Sequence, residues 1–247
     1  MALIKTKGFV IKETVINDTD KIITMITEDV GKISVSVRGA RKASSKCFYG
    51  TQVLTYGDFI LFKARNSYVL NGCDILTSFY SLANDLERFT YAAHLIEMAS
   101  DMSSDHHTTS MILNLLLHAL NALNKGRNTS LVSAAFTMKL MQITGYPPHF
   151  TSCVNCGTKE MEVIYFSFHH CGFICENCAN SDRDALSIEP GTAKALLHVM
   201  CSKNSGAFNF DLSSENLTAF SDIATRYLSD RLDKRYTRLD LLKGISR

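Results

Sequence analysis

The sequence lacks a long hydrophobic run and a targeting segment. Its most apolar stretch, residues 111–123, is interrupted by Asn114, His118 and Asn121. That makes the stretch too short and too polar to cross a bilayer, so no membrane partner is expected. The first residues show neither the apolar segment nor the cleavage site of a secretory signal. Without such a signal, eight cysteines predict a cytoplasmic protein, where cysteine pairs more often bind metal than form disulfides.

Familiar catalytic motifs are also missing. The chain has no GxxxxGK[ST] phosphate loop, no GxGxxG fingerprint, no HExxH motif and no GxSxG turn. Hydrophobic residues make up 46% of the chain and charged residues 20%, which is the balance of an ordinary folded protein. We therefore expect a binding protein that is not an enzyme.

Four cysteines form two CxxC pairs. Cys153 and Cys156 make the first pair, Cys175 and Cys178 the second, and eighteen residues separate them. Each pair can place two thiolates on one tight turn, and two such turns supply the closed tetrahedral set of a structural zinc ion. A strand-like segment between the pairs is typical of a zinc ribbon, and four thiolates leave the ion no open position for catalysis.

Other ligand sets remain open. Cys171 lies close to the second pair and can replace one of its members. Three histidines, His149, His169 and His170, are nearby competitors. An iron–sulfur cluster also accepts four cysteines, although the hairpin between the pairs favours zinc.

The hydrophobic periodicity changes near residue 80. Before it, residues 32–38 alternate strictly and four other short runs are rich in β-forming residues. A small closed barrel suits so many short strands, either an OB-fold or an SH3-like barrel. After it, apolar residues recur at helical spacing, with breaks at Gly126, Gly145 and the prolines that follow.

These patterns predict an α+β multidomain fold. We expect a small N-terminal β-barrel at residues 1–80, either an OB-fold or an SH3-like barrel, and an all-α domain at residues 81–152 and 181–247. The all-α domain carries an inserted four-cysteine, zinc-ribbon-like module at residues 153–180.

Positive charge is concentrated in the first third of the chain. Residues 1–80 hold eleven Lys and Arg against seven Asp and Glu. Four of these cations, Arg38, Arg41, Lys42 and Lys46, fall within nine residues directly after a predicted strand. A basic loop of this kind neutralises phosphates without reading sequence, and Lys12 on the first strand can extend it. A solvated basic loop without a ligand is the alternative.

The order of these pieces resembles the RecO family of bacterial recombination mediators. The segments that carry the resemblance are residues 7–11, 37–42, 145–148, 153–157, 166–167 and 172–178. One departure is Cys171, which stands where the family often has glycine.

The resemblance implies a fold and a function. It implies that the barrel at residues 1–80 is an OB-fold nucleic-acid-binding barrel. RecO-like proteins bind single- and double-stranded DNA and anneal complementary strands. They work with RecR and with single-stranded-DNA-binding protein, whose C-terminal tail the helical domain can receive, and they help RecA load onto DNA. By this resemblance the chain would act at the nucleoid in the bacterial cytoplasm.

Three other functions are compatible with the residues alone. The first is a zinc-ribbon adaptor that binds only proteins. The second is a metal-dependent hydrolase, which the closed set of four thiolates disfavours. The third is a zinc-ribbon transcription factor, which would bind duplex DNA sequence-specifically.

Overall fold

The chain forms two compact units in a computed structural model. It describes residues 2–40, 47–65, 67–103 and 105–245, with side chains through residue 242. The first unit comprises Met1–Asn124 and Arg238–Arg247, and the second comprises Lys125–Thr237. The domain boundaries expected near residues 80, 152 and 180 stay predictions.

The first unit is built on a five-stranded barrel. Its strands are β1 (Ala2–Val15), β2 (Lys21–Thr27), β3 (Lys32–Val37), β4 (Thr55–Lys63) and β5 (Tyr68–Ser78). The strand order is β1-β2-β3-β5-β4, and the sheet closes through pairing of β4 with β1. The β3–β5 pairing is parallel and the others are antiparallel. This Greek-key order is the one expected of an OB-fold, and the predicted α+β class is confirmed.

The alternation of buried and exposed residues along the strands explains why these segments form a barrel. In β3, Ile33, Val35 and Val37 point inward while the residues between them are more exposed. Burying one face of each strand fills the barrel with apolar side chains, and closure leaves no edge unpaired. The register of β1 shifts between Val10 and Lys12. This β-bulge changes which of the following side chains point outward.

Helices complete the first unit. They are the 3₁₀ helix η1 (Tyr80–Asn84), α1 (Leu86–Met102), α2 (His106–Asn124) and α7 (Asp240–Ile245). Asp85 caps α1, because its carboxylate accepts a hydrogen bond from the Arg88 N–H at 3.0 Å. At the other end of the chain, Arg238 pairs with Glu97 of α1 at 2.8 Å.

The second unit is helical with a small sheet. Its helices are α3 (Thr129–Ile143), α4 (Glu176–Ala179), α5 (Pro190–Cys201) and α6 (Ser214–Leu232). Helix α3 is buried continuously from Leu131 to Met141, as expected of a central helix. Pro190 begins α5, where its missing N–H costs nothing.

The small sheet carries the cysteine module. It has the order β7-β6-β8, with β6 (Ile164–Ser167), β7 (Gly172–Cys175) and β8 (Leu186–Ile188). An aromatic cluster holds the sheet against α6: the Phe166 ring lies 5.9 Å from that of Tyr227, and Phe150 packs on Phe173 at 4.5 Å. Within the described residues, no helix is long and apolar enough to cross a membrane.

Candidate functional site

The structure brings the sulfur atoms of the two CxxC pairs together. The Sγ atoms of Cys153, Cys156, Cys175 and Cys178 all lie within 4.8 Å of one another. The Cys156 and Cys175 sulfurs are 3.7 Å apart. Two thiolates on one tetrahedral zinc lie about 3.8 Å apart, since each Zn–S bond is about 2.3 Å. The four-cysteine cluster therefore has the size and the donor set to hold a metal ion.

Backbone hydrogen bonds shape the first turn of the cluster. The Gly157 N–H donates to the Cys153 carbonyl at 2.9 Å, and the Cys153 N–H donates to the Thr158 carbonyl at 2.8 Å. Gly157 has a φ of 79°, a left-handed conformation that glycine adopts without strain. The second pair follows from the sheet, because Cys175 ends β7 and Cys178 lies in the short helix α4.

Within the cluster, the surroundings of Cys153 favour the thiolate form of its side chain. Burial raises the pKa of the Cys153 thiol, but N–H groups of Cys156, Cys175 and Asn155 donate to the sulfur and bring the pKa down to about 6. Burial and hydrogen bonding to Cys175 raise the pKa of Cys178 to about 12. A cation that binds here must displace the remaining protons, which couples binding to pH.

The alternative ligands lie outside this cluster. The Cys171 sulfur faces the carbonyls of Phe168 and His169, each at 3.8 Å. The His149 ring is hydrogen-bonded to Ser152 and Thr151. The described residues thus offer the four CxxC sulfurs as one set, without Cys171 or a histidine.

The basic candidates lie on the barrel. Arg38 directly follows β3 and is exposed. Lys12 is exposed on β1 after the bulge. Arg41, Lys42 and Lys46 lie outside the described residues.

Lys12 and Arg38 share a sheet but are separated along it. Lys12 pairs with Thr24, and Thr24 pairs with Ser34, four residues before Arg38. At about 3.4 Å per residue, Arg38 lies about 14 Å further along the strand direction. A nucleic-acid backbone that touched both cations would have to cross the outer face of β2.

The aromatic residues near the basic segment differ in exposure. Phe9 is fully buried and Tyr68 packs against the barrel core. Tyr49, just after the basic segment, is 69% exposed and packs edge-on against Phe48 at 5.1 Å. Among these rings, Tyr49 offers the most open surface.

Family models match nearly the whole chain. Recombination protein O N terminal matches residues 1–79, and Recombination protein O C terminal matches residues 83–240. The chain belongs to the RecO family. The resemblance drawn from the motifs is therefore confirmed.

Several RecO relatives are similar over their full lengths. A DNA repair protein RecO of Acetivibrio thermocellus is 40% identical, with 100% of this chain and 99% of the relative covered. One of Alkaliphilus metalliredigens is 31% identical, with 98% and 100% covered. One of Caldicellulosiruptor bescii is 30% identical, with 99% and 100% covered. This chain is thus a full-length match to a family of DNA repair proteins.

In this RecO-family chain, sequence reasoning missed Asp20, the acidic residue that holds the backbone directly after Arg38. Asp20 accepts a hydrogen bond from the Gly39 N–H at 2.7 Å, nineteen residues away. The available signal was the Asn17-Asp18 turn before β2. Such a pair is typical of a chain reversal but does not indicate what its side chains contact.

Proposed function

We propose that this chain is a recombination mediator that binds single- and double-stranded DNA and anneals complementary strands. It works with RecR and single-stranded-DNA-binding protein, whose C-terminal tail it binds, and so helps RecA load at the bacterial nucleoid. The observation that carries this proposal is the full-length match to DNA repair proteins of the RecO family. No bond is made or broken in these steps, so we propose that the protein is not an enzyme.

The barrel would bind the DNA backbone. Arg38 is exposed where β3 ends and leads into the segment that carries Arg41, Lys42 and Lys46. Guanidinium and ammonium groups bind phosphate oxygens regardless of base. Lys12 would extend the contact across the sheet, and Tyr49 offers a ring on which an unpaired base can stack.

The cysteine cluster would hold zinc for stability. Cys153, Cys156, Cys175 and Cys178 would be the four ligands, and zinc would supply a crosslink between the two turns. This set leaves no position for water or substrate. The role of the residues is to hold the β6–β7 hairpin in shape beside α6.

A salt titration of DNA binding tests the proposal. Affinity for single-stranded DNA should fall linearly on a logarithmic salt scale, because phosphate neutralisation releases counterions. The double charge reversal Arg38→Glu with Arg41→Glu should weaken binding and flatten this dependence. A matched control, Lys194→Glu with Lys203→Glu, makes the same charge change at exposed positions of the second unit.

The outcomes separate the candidate functions. Unchanged affinity in the Arg38/Arg41 variant would reject the barrel interface. Equal losses of affinity in both variants would show that net charge, rather than the barrel interface, accounts for the weaker binding. No binding of wild-type protein to DNA at low salt would favour the protein-only adaptor.

A further inference from the structure

The turn after β3 is tied to the turn before β2 by one carboxylate. Asp20 Oδ1 accepts a hydrogen bond from the Gly39 backbone N–H at 2.7 Å. Gly39 has a φ of 63°, a left-handed conformation suited to glycine. It lies directly after Arg38, so this bond fixes the backbone just beyond the end of β3.

The Asp20 carboxylate is itself held in place. Thr19 Oγ1 donates to Asp20 Oδ1 at 3.1 Å, and Asn17 Nδ2 donates to Asp20 Oδ2 at 3.2 Å. Asn17 Oδ1 also accepts from the N–H groups of Thr19 and Asp20 at 2.9 and 2.7 Å. The turn therefore presents a preorganised acceptor to Gly39.

The carboxylate stays ionised near neutral pH. Donation from the Gly39 N–H, followed by donation from Asn17 and Thr19, lowers the pKa of Asp20 below its usual value, and the charge of Arg38 adds to this. A fixed negative charge thus lies beside the cation proposed to bind phosphate.

We propose that Asp20 is a positioning residue that sets the direction of Arg38 toward the DNA backbone. This inference rests on the proposed function, because it assigns Asp20 a role in that same interface. Asp20 would touch no DNA. It would act through the Gly39 backbone, which directly follows Arg38.

Charge alone makes the opposite prediction. An acidic side chain beside a phosphate-binding surface repels DNA, so its removal should tighten binding. If Asp20 positions Arg38, removal of the acceptor should instead weaken binding, although the protein becomes more positive. The two effects differ in sign, which makes the test sharp.

The test compares three single variants of the turn, together with Arg38→Ala alone and combined with Asp20→Ala. Binding of the full chain to an oligothymidylate is measured by fluorescence anisotropy at several salt concentrations. Asp20→Ala removes the acceptor, and Asp20→Asn keeps an acceptor oxygen but removes the charge. Asp18→Ala makes the same charge change in the same turn. It is the control, because it leaves Asp20 in place as the acceptor for the Gly39 N–H.

We expect only Asp20→Ala to lose affinity, by several-fold. Its salt slope should shrink by about 0.7, the share of one phosphate contact on a single strand. Asp20→Asn and Asp18→Ala should bind at least as tightly as wild type. Adding Asp20→Ala to Arg38→Ala should cause no further loss, since both would remove the same contact.

Other outcomes overturn the inference. Wild-type or tighter binding by Asp20→Ala, with Arg38→Ala still weakened, would reject positioning while leaving the DNA-binding proposal intact. Failure of Asp20→Asn to restore affinity would also reject the acceptor role. Absence of DNA binding by the wild-type chain would instead remove the proposed function itself, and the two failures are therefore distinguishable.

Discussion

Cys171 is held in a conformation that suits glycine. Its φ is 60°, in the turn between β6 and β7. The left-handed region costs a non-glycine residue about 1–2 kcal/mol. Cys171 belongs to the module by position but not to the four-sulfur cluster.

Replacing Cys171 with glycine should therefore stabilise the protein or leave it unchanged. Relief of strain should exceed the added flexibility of the unfolded chain, which is about 0.5–1 kcal/mol for glycine. We expect the free energy of unfolding to rise by up to about 1 kcal/mol with bound zinc retained. The control Cys171→Ala removes the thiol but keeps Cβ. Loss of zinc from the glycine variant would show that Cys171 is a ligand after all.

His94 makes stability depend on pH. Its side chain is buried in α1, and burial lowers its pKa to about 4, with Glu97 opposing the shift and Arg238 adding to it. The unfolded chain takes up this proton below about pH 6.5, whereas the folded chain does so only below about pH 4. Acid between these values therefore favours unfolding.

A comparison with His94→Gln isolates this effect. Between pH 7 and pH 4.5, wild type should lose about 2 kcal/mol more stability than the variant, which cannot titrate there. Urea denaturation at both pH values measures the difference. Parallel losses in the two proteins would contradict the lowered pKa.

Tyr49 should contribute to binding of single strands. Stacking of one base on an aromatic ring is worth about 1–3 kcal/mol, so Tyr49→Ala should weaken binding by that amount. Tyr49→Phe should retain most of the affinity, because the ring remains. Tyr80→Ala is a matched control, since Tyr80 is similarly exposed at 62%. Equal effects of the two alanine variants would remove the special role of Tyr49.

Among the secondary-structure elements, the β6–β7 hairpin should depend most on the cysteine cluster. Cys153→Ser should reduce zinc content and cost several kcal/mol of stability, because metal binding and folding are coupled. Hydrogen exchange should become faster in β6 and β7. Cys201→Ser is the control, since Cys201 is exposed on α5 and lies outside the cluster. Full stability of the Cys153 variant, or of wild type after chelation, would contradict this role.

Local sequence patterns predicted most elements. Period-two alternation identified β3, and the β-rich runs predicted the other barrel strands. Helical spacing located α2 and α3, with Gly126 and Gly145 at positive φ after them. These signals are local, because the face of a strand or helix depends on residues within a few positions.

Long-range contacts could not be predicted in the same way. The Asp20–Gly39 bond spans nineteen residues, and the Arg238–Glu97 pair spans 141. The second contact lies within the first unit, which includes the C-terminal residues. Neither contact produces a periodic pattern in the sequence. The four zinc-ligand candidates were predictable because CxxC spacing encodes the turn that brings the sulfurs together.

For the protein as a whole, net charge alone says little. The chain carries a formal charge of +2, yet residues 1–80 have an excess of four cations. Electrostatic attraction depends on where charge lies rather than on its sum. The excess of cations in residues 1–80 supports the proposal that the barrel binds DNA. In the same proposal, the cysteine module stabilises the second unit and takes no part in any reaction of DNA.

The proposed annealing of DNA during repair can be measured directly. Complementary oligonucleotides coated with single-stranded-DNA-binding protein are mixed, and duplex formation is followed by fluorescence. Wild-type protein should accelerate annealing, and the Arg38/Arg41 charge reversal should not. If wild-type protein leaves the rate at that of the coated strands alone, the proposed function is contradicted.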